Sequence, residues 1–294
     1  MKEFEKYLEQ KNLTDKTIRC YSKKISSFLI IHPGAENYGY NDIVLFLGEL
    51  QKRNATASVK SWWLNALKQY YNFLIETGKR DDHPCSSLTI KGIFTRRGVI
   101  HADLFTSAEL ELLMNREEIY AHVKIKNQLI VSFLIYQGML SHEIAGLKLK
   151  HVDLDAGTVY VKGGRVNKSR TLELHKRQML LIDKYVNESR KRLLKARKGN
   201  IPNDSLLLNY RGKSLAVDNV LVVLEGMRNM FPGKNLTTVN VRDSVIANLL
   251  NESKLPLEQV QLIAGHRWIS STARLRKKDL KAQQEILKRF HPLG

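Results

Sequence analysis

The stretch LIAGHRWISSTARLR, residues 262–276, carries the pattern around which the rest of the chain can be interpreted. Its apolar start is typical of the end of a helix, and Gly265 breaks that helix and begins a turn. A small polar cluster follows at residues 270–272, and a strongly basic segment comes after it. The stretch therefore predicts a helix end and a turn, followed by polar and then basic groups.

This stretch closely resembles the Gly-His-x-x-x-Ser-x-Thr-x-x-Tyr signature of the tyrosine recombinase, or phage integrase, family. The matching residues are Gly265, His266, Ser270 and Thr272. In that family the closing Tyr is the nucleophile that attacks a DNA phosphate. This sequence has Leu275 at the closing position. The last Tyr of the chain is Tyr210, so a small shift of the alignment supplies no replacement.

The composition indicates a basic protein of two domains. The chain has 294 residues, of which 43% are hydrophobic, and this is enough for two globular domains with their own cores. The sequence contains 48 Lys and Arg against 29 Asp and Glu, which gives a formal net charge of +19. Such an excess favours nucleic acid as the partner, ahead of a membrane surface.

The sequence contains no pattern typical of a membrane span, an export signal or a metal site. No run of 18 apolar residues occurs, and the start MKEFEK is amphipathic without an apolar signal core. We therefore expect no membrane partner and a cytoplasmic location. Cys20 and Cys85 give neither a disulfide framework nor a metal motif, so buried or half-buried thiols are expected. No metal or other cofactor is expected.

Residues 1–80 are predicted to form a compact domain of four helices, because apolar residues recur there at helical spacing. Thr14 and either Thr56 or Ser58 are candidate helix starts. The last helical segment, residues 57–74, resembles the helix that closes the core-binding, SAM-like domain of tyrosine recombinases. The aromatic residues of this segment are interpreted as core residues: Trp62, Trp63, Tyr70 and Tyr71.

Residues 81–104 are predicted to link two domains, because they lack sustained periodicity and carry Pro, Gly and several charges. In the family such a segment lets the two domains close on DNA as a C-shaped clamp. The side chains expected to face phosphate in the first domain and the linker are Lys16, Arg19, Lys60, Lys68, Arg96 and Arg97. Any of them can equally be solvated surface.

Residues 105–294 are predicted to form an α+β domain that resembles the catalytic domain of the family. Thr106 and Glu109 make a capping box that opens its first helix. Residues 152–174 are predicted to form a short β-ribbon, because β-branched residues flank the turn sequence Asp-Ala-Gly. The chain as a whole is therefore predicted to be mainly α with a small antiparallel β-sheet.

A segment after the first long apolar helix matches another family pattern and departs from it at one position. Residues 137–147 resemble the pattern Thr-Gly-Leu-Arg-x-Ser-Glu-Leu-x-x-Leu, with matches at Gly138, Glu143 and Leu147. Leu140 stands where the family has its first catalytic Arg.

Residues 162–174 are predicted to form a basic hairpin that returns to a strand. The family carries in this hairpin a Lys that touches the substrate and can protonate the leaving oxygen. Lys162, Arg165 and Lys168 all lie near that position, and spacing does not choose between them. Such a loop can also contact phosphate without taking part in catalysis, and we favour that interpretation. Two further candidate DNA contacts are Arg170 and Arg267.

Residues 236–250 resemble the His-x-x-Arg helix of the family. Arg242 falls on the second catalytic Arg, whereas Val239 stands in place of the His three residues earlier. His266 falls on the His of the Gly-His motif. Arg242 and His266 can grip a phosphate, and the alternative is that they serve helix capping and core hydrogen bonds.

These departures lead to the expectation that the chain is not an enzyme. Transesterification at a phosphodiester needs an aimed nucleophile, cationic groups on the non-bridging oxygens and an acid for the leaving oxygen. Leu140, Val239 and Leu275 supply no such group at the positions where the family has one. The chain is therefore interpreted as an inactive homologue whose Arg242 and His266 bind DNA without cutting it.

The leading functional hypothesis is a sequence-specific regulator, such as a repressor, of a phage or mobile element, with double-stranded DNA as its partner. An alternative is an inactive accessory subunit that assembles with an active recombinase. A third hypothesis is an active integrase with an atypical site. The amphipathic pattern at residues 280–290 indicates either a helix that docks on a neighbouring subunit, as in the family, or one that folds back on its own domain.

Overall fold

The computed structural model describes residues 1–92, 100–115, 121–164, 167–195 and 203–277. The chain divides into two compact units, the N-terminal unit of residues 1–96 and the C-terminal unit of residues 97–294. The described part is mainly helical and contains one small antiparallel sheet, in the C-terminal unit. The predicted fold class is confirmed in these respects.

Four helices form the N-terminal unit. They are α1 (Lys2–Gln10), α2 (Asp15–Ile31), α3 (Tyr40–Lys52) and α4 (Ala57–Glu76). The hydroxyls of Thr14 and Thr56 accept hydrogen bonds from the backbone N–H groups of Thr17 and Val59, so both cap the helix that follows. Each cap satisfies an N–H group that has no partner inside its helix.

An aromatic cluster joins α1 to α4 in the core of the N-terminal unit. The ring of Phe4 lies edge-on to Tyr70 at 5.7 Å and tilted against Phe73 at 5.5 Å. The hydroxyl of buried Tyr71 donates a hydrogen bond of 2.7 Å to the carbonyl of Ala35. The buried aromatic face of α4 therefore holds both the first helix and the loop between α2 and α3.

The prediction that all four aromatic residues of α4 lie in the core is wrong for Trp62, which is exposed. Trp63 is half-buried, stacks edge-on against Phe46 and lies under the ammonium group of Lys24, 4.3 Å from the ring centre. Neighbouring residues of a helix point in different directions, so Trp62 and Trp63 cannot both face the same core.

The described part of the C-terminal unit contains nine α-helices and three strands. The helices are α5 (Ser107–Leu112), α6 (Ala121–Gln137), α7 (Ser141–Ala145), α8 (Lys176–Lys184), α9 (Lys191–Lys195), α10 (Val217–Glu225), α11 (Thr238–Asn251), α12 (Leu257–Ala264) and α13 (Ile269–Ala273). The strands are β1 (Val152–Asp153), β2 (Thr158–Val161) and β3 (Arg170–Glu173). No described helix is long and apolar enough to cross a membrane.

The sheet is a meander in the order β1-β2-β3, and Val159 of β2 lies opposite Leu172 of β3. Both side chains are buried, whereas the residue after Val159 in β2 and the residue before Leu172 in β3 are exposed. This alternation places one face of the sheet on the core. Burial of alternate side chains therefore fixes the register of β2 against β3, the two strands that the hairpin connects.

Helix α6 is the central element of the C-terminal core and packs against α8, α10 and α11. Its polar residues are satisfied internally, because Gln137 and Gln178 exchange hydrogen bonds of 2.8 and 2.9 Å and Gln178 also donates to Ser132. Burying these amides unpaired would be costly. The network fixes α8 against the helix that leads to Gly138 and α7.

Two further features of the C-terminal unit follow from local chemistry. Helix α10 ends at Glu225, because Gly226, a weak helix former, stands at its C-terminal cap. In the basic stretch that begins after Ser189, Arg190 is buried and donates hydrogen bonds to the carbonyls of Asn203 and Ser205. These acceptors satisfy its guanidinium, which accounts for its burial.

We expect Tyr71→Phe to lower the free energy of unfolding by about 0.5–1.5 kcal/mol, since a buried hydrogen bond is lost while the carbonyl of Ala35 keeps the N–H of Tyr38 as its other donor. Tyr70→Phe is the matched control, because the Tyr70 hydroxyl makes a longer bond of 3.3 Å to a partly solvated carboxylate of Glu36. Urea unfolding followed by circular dichroism measures both. Equal losses in the two variants would contradict the assignment.

Candidate functional site

Glu143 stands at the centre of a buried charged cluster in the C-terminal unit. It is the third residue of α7, where its carboxylate accepts a hydrogen bond of 2.9 Å from the backbone N–H of Leu140. Arg170, the first residue of β3, donates to both carboxylate oxygens at 2.8 and 3.0 Å. The Glu143 and Arg170 side chains are 1% and 5% exposed. The pair therefore joins the start of α7 to the sheet.

Arg170 determines the protonation state of Glu143. Burial alone would raise the pKa of Glu143, but hydrogen bonds from Arg170 and the charge of its guanidinium outweigh burial and lower that pKa below its ordinary value. Asn167 adds a further hydrogen bond of 3.3 Å to the same carboxylate. Glu143 is therefore a charged anchor at neutral pH, which several donors from the hairpin hold in place.

Arg242 lies on α11 and connects the turn before α7 to the end of α12. Its guanidinium donates hydrogen bonds to the carbonyls of Gly138 and Ala264 and lies 3.9 Å from Glu143. Burial lowers the pKa of Arg242 to about 10, and the charge of Glu143 opposes this shift. Arg242 therefore remains a cation at neutral pH, in a place where little water screens its charge.

Gly265 lets the turn after α12 close on the charged pair. Its φ is +68°, and a Cβ atom there would lie 2.7 Å from Nη1 of Arg170 and 3.0 Å from the carbonyl of Lys168. The Gly265 carbonyl accepts a hydrogen bond of 2.8 Å from the N–H of Lys168. Only glycine suits both the left-handed backbone and this close approach. The hairpin and the Gly-His turn are thereby tied together.

His266 follows this turn as a neutral imidazole. Its Nδ1 lies 2.9 Å from the hydroxyl of Thr272 on α13. Burial is the largest cause that lowers the pKa of His266, followed by the charges of Arg242, Arg274 and Arg170, and the result is about 4. A neutral imidazole at pH 7 offers one N–H donor and one acceptor. The three guanidinium groups surround it closely enough to disfavour its protonation.

The three positions that depart from the family pattern have different surroundings. Leu140 is half-buried and contributes its backbone N–H to the Glu143 anchor. Val239 is exposed on α11, one turn before Arg242. Leu275 is fully buried in an apolar cluster made of α11 and α12 residues: Ile246, Ala247, Leu250, Val260 and Ala264. The side chain at the closing position of the motif is thus a core element.

The predicted DNA contacts of the hairpin and the turn divide into exposed and buried residues. Lys162, Lys168 and Arg267 are exposed, while Arg170 points inward and is bound to Glu143. Arg170 was proposed as a DNA contact, but in the structure its guanidinium holds the anchor. Its direct contact with DNA stays a prediction. Arg165 lies outside the described residues.

The cations of the N-terminal unit that were predicted to contact DNA differ in their hydrogen-bond partners within the protein. Lys16 and Arg19 are exposed on α2. Lys60 lies 3.3 Å from an oxygen of Gln51, and Lys68 donates a hydrogen bond of 2.9 Å to the carbonyl of Ser86. The ammonium group of Lys68 therefore stabilises its own chain, and these contacts with DNA stay predictions. Two candidates of the linker lie outside the described residues: Arg96 and Arg97.

A cavity of about 370 Å³ lies beside the charged cluster. Residues 168–172 line one side, and residues of α12 with Gly265 and His266 line the other. Trp268, two residues after His266 in the sequence, is 70% exposed. Among the described residues no group of three or more His, Cys, Asp or Glu is placed to hold a metal ion. The charged side chains that line the cavity are cations, so the cavity suits an anion.

Sequence reasoning missed three residues of this region. Asn167 and Asp243 were not singled out, and Arg274 was counted only as part of a basic segment. Arg274 donates to both carboxylate oxygens of Asp243, at 3.0 and 2.9 Å. The two residues lie 31 positions apart, so local patterns gave no signal for their pairing. The position of Asp243 next to Arg242 was the one available hint.

Comparisons with known proteins agree with this geometry. Residues 103–281 match the phage integrase family, and residues 1–78 match the phage integrase N-terminal SAM-like domain. The tyrosine recombinase XerC of Anoxybacillus flavithermus is 26% identical over 276 residues, which cover 92% of this chain and 89% of the relative. The tyrosine recombinase XerD of Listeria innocua is 24% identical over 297 residues, with coverages of 96% and 95%.

Solved structures show the same fold. The XerH site-specific recombinase bound to a palindromic difH substrate, in a post-cleavage complex, has a TM-score of 0.68 at 19% identity and covers 92% of this chain and 79% of that chain. The Tn1549 transposon integrase in complex with transposon right end DNA has a TM-score of 0.66 at 13% identity, with 98% of each chain covered. At these identities the likeness establishes the fold alone.

The comparisons overturn the expectation that the chain is not an enzyme. Its relatives are named tyrosine recombinases, which are enzymes, and nothing in the comparisons or the described residues positively indicates an inactive form. The expectation rested on Leu140, Val239 and Leu275 alone. Losses of catalytic groups are strongly non-additive, and the remaining preorganised groups can retain a residual rate enhancement of about 10³–10⁴-fold. Missing side chains at motif positions therefore do not establish inactivity.

We expect Glu143→Gln to lower the free energy of unfolding by about 3–5 kcal/mol, because buried Arg170 and Arg242 lose their compensating charge. Glu225→Gln is the control, since its pair with Arg228 is exposed and contributes less than about 1 kcal/mol. Chemical unfolding of both variants measures the difference. A cost for Glu143→Gln as small as that of the control would refute the anchoring role.

The depressed pKa of His266 predicts a pH dependence of stability. Between pH 6.5 and 5 the unfolded chain, with an ordinary His pKa of about 6.5, takes up a proton that the folded chain does not bind. The free energy of unfolding should therefore fall as the pH is lowered through this range. His266→Gln should reduce the fall. Urea titrations at several pH values test this, and identical slopes for the two proteins would contradict it.

Proposed function

The chain belongs to the phage integrase family, and on that premise we propose that it binds a specific duplex DNA and takes part in site-specific recombination. The observation that carries the proposal is the buried cluster in which Glu143 anchors Arg170 and Arg242 beside neutral His266. The exposed cations of the hairpin flank this cluster. The formal net charge of +19 agrees with a polyanionic partner.

The proposed site holds one phosphate of the duplex. Arg242 supplies a cation that is already oriented by two carbonyls, and His266 supplies a neutral donor next to it. A charge-assisted hydrogen bond of this kind contributes about 1.5–3 kcal/mol to binding. Because the cluster is preorganised, little conformational freedom is lost when the phosphate binds. The backbone N–H of Lys168 is bound to the carbonyl of Gly265, so the Lys168 side chain adds a further cation close to the Gly-His turn.

The same groups have defined roles in strand exchange. Attack on a phosphodiester builds negative charge on the non-bridging oxygens, and Arg242 and His266 are positioned to stabilise that charge. In this proposal an exposed lysine of the hairpin, Lys162 or Lys168, gives its proton to the leaving oxygen. The sequence has no Tyr after Tyr210, so cleavage by this chain would use a nucleophile other than a Tyr of the residue 262–276 stretch. Identification of that group is therefore part of the test.

A second candidate function is regulation of a phage or mobile element, in which the protein acts by occupying its DNA site. The observation that favours it is fully buried Leu275, since occupancy requires binding alone and no hydroxyl at that position. Assembly with another recombinase is a variant of the same proposal, in which the chain contributes its DNA contacts to a larger complex. Both candidates use the same phosphate site.

We expect the protein to bind a duplex selected from genomic fragments with an affinity that falls steeply as salt increases. The log-log slope should be about −0.9 for each phosphate contacted, and Lys168→Ala should reduce its magnitude by about 0.9. Lys184→Ala, an exposed cation on α8, should leave the slope unchanged. Fluorescence anisotropy over a salt series measures all three. A slope near zero in the unaltered protein would rule out the proposal.

A nicked form of the selected duplex separates the two candidates. The nick traps a cleaved strand as a covalent protein–DNA adduct, and peptide mass spectrometry of the adduct identifies the nucleophile. An adduct would assign strand cleavage to this chain. Binding without an adduct, alone and with an added recombinase, would support occupancy.

A further inference from the structure

Arg274 joins the end of α13 to helix α11 through its pair with Asp243. It follows α13, whose Thr272 contacts His266, and it precedes Leu275 in the core. Its Nη2 donates to both carboxylate oxygens of Asp243, which directly follows Arg242 in the sequence. The Arg274 and Asp243 side chains are 44% and 14% exposed. The cation is thus accessible, whereas its carboxylate partner is largely buried.

The three guanidinium groups around His266 differ in their freedom to reach a ligand. Arg170 is buried and bound at two points to Glu143, and Arg242 is buried between two backbone carbonyls. Of these three, Arg274 alone has a solvent-exposed side chain. Arg170 and Arg242 are therefore fixed in place, and Arg274 is the member of the group whose guanidinium can change its direction.

The cost of releasing Arg274 from Asp243 is modest. A partly exposed ion pair contributes little to stability, because water screens the charges. Burial raises the pKa of Asp243, and the charges of Arg274 and, to a smaller extent, Arg242 oppose that rise, so one compensating cation remains beside the carboxylate when Arg274 leaves. A phosphodiester offers the freed guanidinium two oxygens in the same forked geometry as a carboxylate. Exchange of one anion for the other is therefore favourable when DNA is present.

We propose that Arg274 is a phosphate-binding residue of the DNA site, held by Asp243 until the duplex arrives. It supplies a cation at a centre where Leu140 supplies none, and it acts on the phosphate bound by Arg242 and His266. Asp243 competes with the phosphate for this guanidinium and holds it while no duplex is bound. This inference rests on the proposed function and assigns one further contact to it.

The test compares four proteins on the selected duplex by fluorescence anisotropy across a salt series. Arg274→Ala should weaken binding about tenfold or more and reduce the magnitude of the log-log slope by about 0.9, the loss of one phosphate contact. Arg228→Ala is the matched control, because Arg228 also forms an exposed pair with a carboxylate, Glu225, on the same unit. It should leave both quantities unchanged.

Asp243→Asn and the double variant with Arg274→Ala distinguish binding from a structural role. Asp243→Asn releases the guanidinium, so we expect tighter binding, and the gain should disappear when Arg274 is Ala. A gain that persists in the double variant would reflect long-range charge alone and would overturn the proposal. Thermal unfolding accompanies each measurement. If Arg274→Ala and Asp243→Asn weaken binding and lower the Tm to the same extent, the pair is structural and the proposal is wrong.

The two proposals fail in different ways. If the unaltered protein binds the duplex with a steep salt dependence while Arg274→Ala changes neither affinity nor slope, only the role of Arg274 is refuted. If the unaltered protein shows a slope near zero, DNA binding itself is refuted.

Discussion

The buried ion pair between Glu143 and Arg170 is the interaction on which the candidate site depends. Removing two charges from water is expensive, and here bidentate geometry with added donors from Leu140 and Asn167 offsets that cost. The pair ties α7 to β3, and Gly265 closes against its guanidinium. The positions of the hairpin and the Gly-His turn therefore follow from it, because both contact the pair or its immediate neighbours.

Local patterns predicted the parts of the structure that local physics determines. The caps at Thr14 and Thr106, the helices of the N-terminal unit and the Gly265 turn follow from short-range hydrogen bonding and backbone sterics. The direction of a charged side chain does not follow from such patterns. Arg170 was predicted to contact DNA, yet its partner is Glu143, 27 positions earlier in the sequence. Charge alone gives no information on which carboxylate or carbonyl the fold brings near.

Activity illustrates the same limit of motif reasoning. The residues at positions 140, 239 and 275 were correctly identified as departures from the family pattern, but the conclusion that the chain is not an enzyme was wrong. A motif specifies which side chain the relatives use at a position. Rate enhancement depends on how the whole set of charges and donors is preorganised, and the cluster around Glu143 and Arg242 retains such order.

Trp268 gives the C-terminal unit an intrinsic optical probe. The chain has three Trp, and the other two, Trp62 and Trp63, belong to the N-terminal unit. Indole emission depends on the polarity around the ring, and this exposed ring lies two residues from His266. Phe in place of Trp62 and Trp63 would leave one native fluorophore, two residues from His266 in the sequence. Binding at the Gly-His turn could then be timed in a stopped-flow instrument without any attached dye.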